Sequence, residues 1–208
     1  MRRTFMVIIL LLTSCGGGSH SGNPTVSTGL KIYVTSSKHV GDFKNDPLLQ
    51  GTNAISKADY FCNIDINKPN DSIYKALIVD GINRDAFSNI DWVLKPNTTY
   101  YRPYGNIEIG TAASNALLPV LYADLTNSIA DQLPASSDLY VMANSVWTGI
   151  GNPSNYSTGS DCAGWSIGDN SSGGIWGTTY QKGVLSISSG GSTWGCIQQM
   201  SLYCVEQP

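Results

Sequence analysis

The chain has 208 residues, of which 41% are hydrophobic and 13% charged, enough apolar content for a single core and too much for wholesale disorder. Twelve Lys and Arg stand against fifteen Asp and Glu, and with Arg2 and Arg3 assigned to a leader the rest of the chain carries ten against fifteen. This acidic balance repels phosphate polymers, so the composition excludes nucleic-acid binding.

Met1-Arg2-Arg3 is a short basic segment, Phe5 to Leu12 is an unbroken apolar run, and Leu12-Thr13-Ser14 places small residues directly before Cys15. That order predicts a lipoprotein signal peptide over residues 1–14, with Cys15 as the lipidation site. A spanning helix needs roughly 20 apolar residues, so the run directs export without serving as an anchor. Acyl chains on Cys15 would instead hold the protein to a lipid bilayer, at about 0.8 kcal/mol per buried CH₂. Residues 15–28, opening on Gly16-Gly17-Gly18-Ser19, form a flexible tether. One folded domain is predicted over 29–208.

Cys62, Cys162, Cys196 and Cys204 remain in an exported chain, where thiols oxidise. Two disulfides follow, with three connectivities open. Zinc is disfavoured because there is no Cys-x-x-Cys pair and the only histidines are His20 and His39. No metal and no cofactor is expected.

In chain order, Lys31–Thr35 reads as a strand, and Ile55, Ala58 and Cys62 recur at helical spacing within a segment from Asn53 to Ile64. Tyr74–Val79 and Ser137–Met142 are further strand candidates, and Met200–Val205 alternates as a closing strand. Between Gly149 and Gly195 lie twelve of the 22 glycines, with Tyr156, Trp165, Trp176, Tyr180 and Trp194. This stretch reads as a long structured loop region that displays aromatics. The overall class is α+β.

Asn144-Ser145-Val146-Trp147-Thr148-Gly149, Asn152-Pro153, Asp161-Cys162-Ala163-Gly164-Trp165, Cys196 and Leu202-Tyr203-Cys204-Val205-Glu206 resemble the carboxy-terminal half of endostatin, a C-type-lectin-like domain. Ala58-Asp59-Tyr60-Phe61-Cys62 fits the helix that carries the first cysteine of that fold. With a lipidation signal in front, the chain is similar to the leptospiral endostatin-like lipoproteins, spirochaete surface proteins that share a domain of otherwise unknown function, DUF1554.

The resemblance implies a C-type-lectin-like fold and nested bridges, Cys62 with Cys204 and Cys162 with Cys196. On the loop-entropy model these contribute up to about 5 and about 4 kcal/mol. It also implies a cell-surface protein of the outer membrane, a non-catalytic, adhesin-like module contacting host laminin, fibronectin or the complement regulator factor H. A periplasm-facing structural lipoprotein is the alternative reading. Calcium-dependent sugar binding is a further one, but lectins of this fold use Glu-Pro-Asn or Gln-Pro-Asp and a Trp-Asn-Asp. Here Asn152-Pro153-Ser154 and Thr193-Trp194-Gly195 stand instead, and Asp161 and Asp169 are the only carboxylates of the loop region.

Gly164-Trp165-Ser166-Ile167-Gly168 matches the nucleophile-elbow string of serine hydrolases, yet no histidine follows His39 to take the serine's proton. Ser171 and Ser172, in a string that faintly resembles a protease nucleophile loop, read as turn residues. The protein is expected not to be an enzyme. The candidate ligand contacts are Tyr100, Tyr101 and Tyr104, clustered after Pro96, together with Tyr156, Trp176 and Tyr180 of the loop region. Tyr and Trp provide large contact area at low entropic cost. Trp147 and Trp165 are expected to pack inside.

Overall fold

The computed structural model describes residues 29–131 and 143–208. The expected signal peptide, Cys15, the tether and the strand candidate Ser137–Met142 lie outside the described residues. The elements run β1 (Leu30–Val34), helix α1 (Ala54–Ile64), β2 (Tyr74–Ala76), β3 (Thr99–Tyr101), β4 (Glu108–Thr111), β5 (Ser145–Trp147), β6 (Ile150–Asn152), β7 (Ser157–Thr158), β8 (Gly173–Thr178), β9 (Thr193–Gly195) and β10 (Tyr203–Glu206). The class is α+β, mostly strands with few helices.

The main sheet has the order β2-β10-β1-β3-β4. Among the described residues the first and last strands, β1 and β10, pair antiparallel at its centre, with Tyr33 opposite Cys204, and β1 runs parallel to β3. Successive side chains of a strand point to opposite faces, and here each face closes over its own core. Ile32, Leu77, Tyr203 and Val205 belong to one buried cluster, with Trp92, Leu94, Tyr100 and Ile109. Tyr33, Ala76, Ile78 and Cys204 belong to the other, with Phe43, Trp147, Trp165 and the buried side of α1. A one-residue slip of β1 or β10 would exchange these contents, so the register is strongly specified.

Helix α1 starts where Asn53 accepts the Ser56 N–H at 2.8 Å while the Ser56 hydroxyl accepts the Asn53 N–H, a reciprocal capping box. Ala54, Ile55, Ala58, Phe61 and Cys62 are its buried residues, the helical spacing expected from the sequence. Its neighbouring face is polar for a different reason. Asn63 accepts the Tyr74 N–H and donates to the Tyr74 carbonyl, and Asp59 accepts the Ala76 N–H. Arg84, fully buried, donates to the Ala76 carbonyl and to both carboxylate oxygens of Asp59. The outward backbone groups of β2 are therefore satisfied by side chains, as buried polar groups require. A second ion pair, to Asp91, balances the Arg84 charge, because a buried cation is tolerated only when paired.

The Gly149–Gly195 stretch is more regular than its composition suggests. It holds the β6–β7 ribbon, most of the three-stranded sheet β5-β8-β9, and a 3₁₀ turn at Val184–Ser186, so short strands order a stretch that is otherwise loop, with long links between β7 and β8 and between β8 and β9. It also contains one turn, Cys162–Trp165, whose four residues have φ of 54°, 55°, 69° and 55°. Trp165 N–H donates to the Asp161 carbonyl and Ser166 N–H to that of Cys162, which makes the turn a left-handed helical one. Left-handed winding costs about 1–2 kcal/mol per non-glycine residue. The turn is held by the Cys162–Cys196 disulfide and by Trp165, whose buried indole donates to the Val79 carbonyl at 2.9 Å. Cys62 and Cys204 form the second disulfide. The nested pairing implied by the resemblance is the one in the structure.

Candidate functional site

The six expected contact residues do not converge. Tyr100 and Tyr156 are fully buried, and their placement among surface contacts is corrected. The Tyr100 hydroxyl accepts the Lys95 N–H at 2.7 Å, and that of Tyr156 donates to the Leu118 carbonyl at 3.0 Å. Burial holds the Tyr100 phenol up at about 12 and raises that of Tyr156 further, so both stay neutral hydrogen-bonding groups. Both residues fill the core because β3 and the β6–β7 ribbon turn them inward, a choice that aromatic content alone does not reveal.

Trp176 is half-buried on β8, tilted against Trp194 of β9 with centroids 5.1 Å apart. Tyr180 is half-buried in the turn after β8, beside Lys182 and Leu185. Tyr101 and Tyr104 stay together. Tyr101 is half-buried on β3 with the Lys31 ammonium 5.4 Å from its ring centroid, within the range of cation–π attraction. Tyr104 is 71% exposed, at the tip of the turn between β3 and β4.

That turn is tightly made. Arg102 N–H donates to the Ile107 carbonyl at 2.8 Å across the four residues Pro103 to Asn106, and Gly105 and Asn106 take φ of 76° and 50°, left-handed values that Gly and Asn adopt most readily. Lys31 reaches across to the Asn106 side-chain oxygen at 2.6 Å. Beneath the turn, the Arg102 guanidinium donates to the Ser128 carbonyl and hydroxyl and pairs with Asp131. The turn thus presents Tyr104 and the partly exposed Ile107 on a fixed backbone, with Lys31 and Tyr101 at their side.

The sequence strings that suggested chemistry are occupied otherwise. The Ser166 hydroxyl donates to the Ala163 carbonyl at 2.6 Å, while the His39 nitrogens lie 2.6 Å from the Val40 carbonyl and 2.9 Å from Asp46. Ser171 donates through its N–H and its hydroxyl to Asp169, which holds that carboxyl below its usual range. Asn152 accepts from Ser154, and Asp161 caps the left-handed turn by accepting the Gly164 N–H at 3.0 Å. Burial, with the nearby Asp80 charge, raises the Asp161 carboxyl. Among the described residues, no three His, Cys, Asp or Glu side chains are grouped to hold a metal.

The sequence reading passed over the exposed apolar residues outside its aromatic clusters, notably Ile82, Phe87 and Tyr122. Phe87 had a signal: it stands among Asp85, Ser88 and Asn89, a polar turn context in which a large ring is not expected to be buried.

The architecture is therefore that of a mixed α+β domain clamped by two disulfides, with Tyr104 presented on a hydrogen-bonded turn. The model of a family described as a protein of unknown function, DUF1554, matches residues 49–182. The chain belongs to that family. The matched span runs from just before α1 to the turn after β8, and takes in Cys62 and Cys162 but neither of their partners. No curated protein matches the chain.

Proposed function

We propose that this protein is a non-catalytic binding module with a C-type-lectin-like, endostatin-like fold, displayed on the outer membrane through an acylated Cys15 and contacting host extracellular-matrix proteins or complement regulators. The observation that carries the binding reading is the β3–β4 turn. Tyr104 is exposed on a backbone fixed by the Arg102–Ile107 bond and by the buried Arg102 guanidinium. A pre-ordered aromatic loses little conformational freedom on binding, and contact surfaces draw much of their affinity from such residues. Lys31, over the Tyr101 ring and bonded to Asn106 of the same turn, adds a positive charge to this face, suited to acidic patches on a partner. Central pairing of β1 with β10, the nested disulfides and the packing of helix α1 against β2 support the lectin-like reading of the fold.

The test is surface binding of the oxidised full-length chain to laminin, fibronectin and factor H at physiological salt. Saturable binding that falls about tenfold or more in Tyr104→Ala is expected. Silence on all three proteins, or binding indifferent to that substitution, would remove this reading. Proteolysis of intact cells checks the location: a surface domain is digested, whereas a periplasmic one survives.

A further inference from the structure

A cleft of about 580 Å³ opens between the loop that carries Phe87, the loop Ser114–Leu117 and the turn at Ser154–Asn155. Its volume lies in the range of small-ligand sites. Trp92 and Leu117 provide a buried apolar floor, and the Trp92 indole is fixed by donating to the Ala116 carbonyl at 2.8 Å. Phe87, 71% exposed, stands at the rim as an unburied ring.

The polar wall is made of side-chain amides. Asn115 and Asn155 line the cleft, and each spends its Oδ1 on a local backbone N–H, that of Leu117 and that of Ser157. Among the described residues no acceptor meets the Nδ2 group of either. A third amide, Asn89, lies on the same wall beside Phe87. No carboxylate is among the described lining residues, and the one cation, Lys95, donates to the Trp92 carbonyl.

We propose that this cleft is a calcium-independent site for a neutral saccharide. Amide N–H₂ groups donate to sugar hydroxyls without needing charge, and an exposed ring offers its face to the C–H side of a pyranose, as amphipathic ligand sites combine a few placed polar groups with apolar surface. A divalent cation would require hard oxygen ligands, carboxylates foremost, which this wall does not carry. A phosphate or sulfate would call for more positive charge than the single, internally bonded Lys95 provides. The site is separate from the Tyr104 turn and does not depend on the matrix-binding reading.

The experiment is an array of neutral oligosaccharides built from glucose, galactose, mannose and N-acetylglucosamine, probed with the oxidised full-length chain with and without EDTA, followed by calorimetry on any hit. Binding that is insensitive to EDTA, weakened about tenfold by Phe87→Ala and several-fold by Asn115→Ala, and unchanged in Tyr122→Ala is the expected result. Phe87, Asn115 and Tyr122 are exposed, so these variants should fold. An empty array, loss of binding in EDTA, or binding that ignores both cleft variants would each overturn the proposal. Equal binding of a glycoprotein before and after enzymatic removal of its glycans, still reduced by Phe87→Ala, would assign the cleft to polypeptide and overturn it as well. Saccharide binding by a chain that ignores laminin, fibronectin and factor H would sustain this site while the host-protein reading falls.

Discussion

The two cores on either side of the main sheet are closed by different means. The core beneath α1 holds all four cysteines of the domain and is crossed by both disulfides. The opposite core contains no cysteine and is roofed by loops from Trp92 to Ile129. There the closure comes from aromatic tips. Trp92 donates to Ala116, Tyr156 to Leu118 and Tyr203 to Ser186, each onto a backbone carbonyl. A ring with one polar atom fills volume and pins a loop together, whereas a disulfide acts mainly by restricting the unfolded chain. The contrast separates two kinds of stability: one is lost globally when its link is cut, the other locally, loop by loop.

The largest effect should come from the outer bridge. Replacing Cys62 and Cys204 by serine frees a loop of 142 residues and is expected to cost about 5 kcal/mol, against about 4 kcal/mol for the 34-residue inner loop of Cys162 and Cys196. Denaturant midpoints of the two double variants measure the order, and a costlier inner pair would mean that the left-handed turn collapses with its bridge. On the other side of the sheet, Tyr156→Phe leaves the Leu118 carbonyl buried without its donor, at a cost of about 1–3 kcal/mol. Hydrogen exchange should quicken around Leu117–Leu125 while α1 keeps its protection; uniform acceleration would show that the two cores open together.

The smallest effect concerns pH. The Asp161 carboxyl is raised in the folded state by burial and by the Asp80 charge, so the folded protein holds this proton more tightly than the unfolded chain. That contribution to stability is complete below the unfolded carboxylate range and is lost as pH rises through the raised value. Asp161→Asn keeps an oxygen for the Gly164 N–H and removes the charge. It should raise Tm by on the order of 2 °C at pH 7 and leave it unchanged near pH 3, where both side chains are neutral. A variant less stable at neutral pH would show that the carboxylate's charge itself holds the turn.

Much of the scaffold could be read from the chain. The Ile55-Ala58-Cys62 spacing and the strand-forming run from Lys31 to Thr35 are local signals, and local physics decided them. The strand expected over Tyr74–Val79 is regular only to Ala76: the Leu77 N–H still bonds the Tyr203 carbonyl of β10, but two residues on the Val79 N–H has turned to Thr148. Tyr100 and Tyr156 were misplaced because burial of a tyrosine depends on whether a distant backbone carbonyl or N–H awaits its hydroxyl. Those partners, Leu118 and Lys95, arrive from loops with no pattern of their own. The left-handed turn had one hint, Gly164, but Cys162, Ala163 and Trp165 carry no preference for positive φ. The cleft beside Phe87 was hidden for the same reason: three separate loops build it.

The side chains of Asn63, Asp59 and Arg84 that occupy the outer groups of β2 also bear on life in a crowd. An open strand edge is a template on which a neighbouring molecule can add its own strand. Molecules held on one surface meet at high local concentration, where such templating becomes fast. With the β2 edge already answered by its own helix and arginine, a second copy finds no unpaired row to extend on that side. Substituting Asn63 by alanine would therefore matter less to the isolated domain than to its behaviour when densely packed.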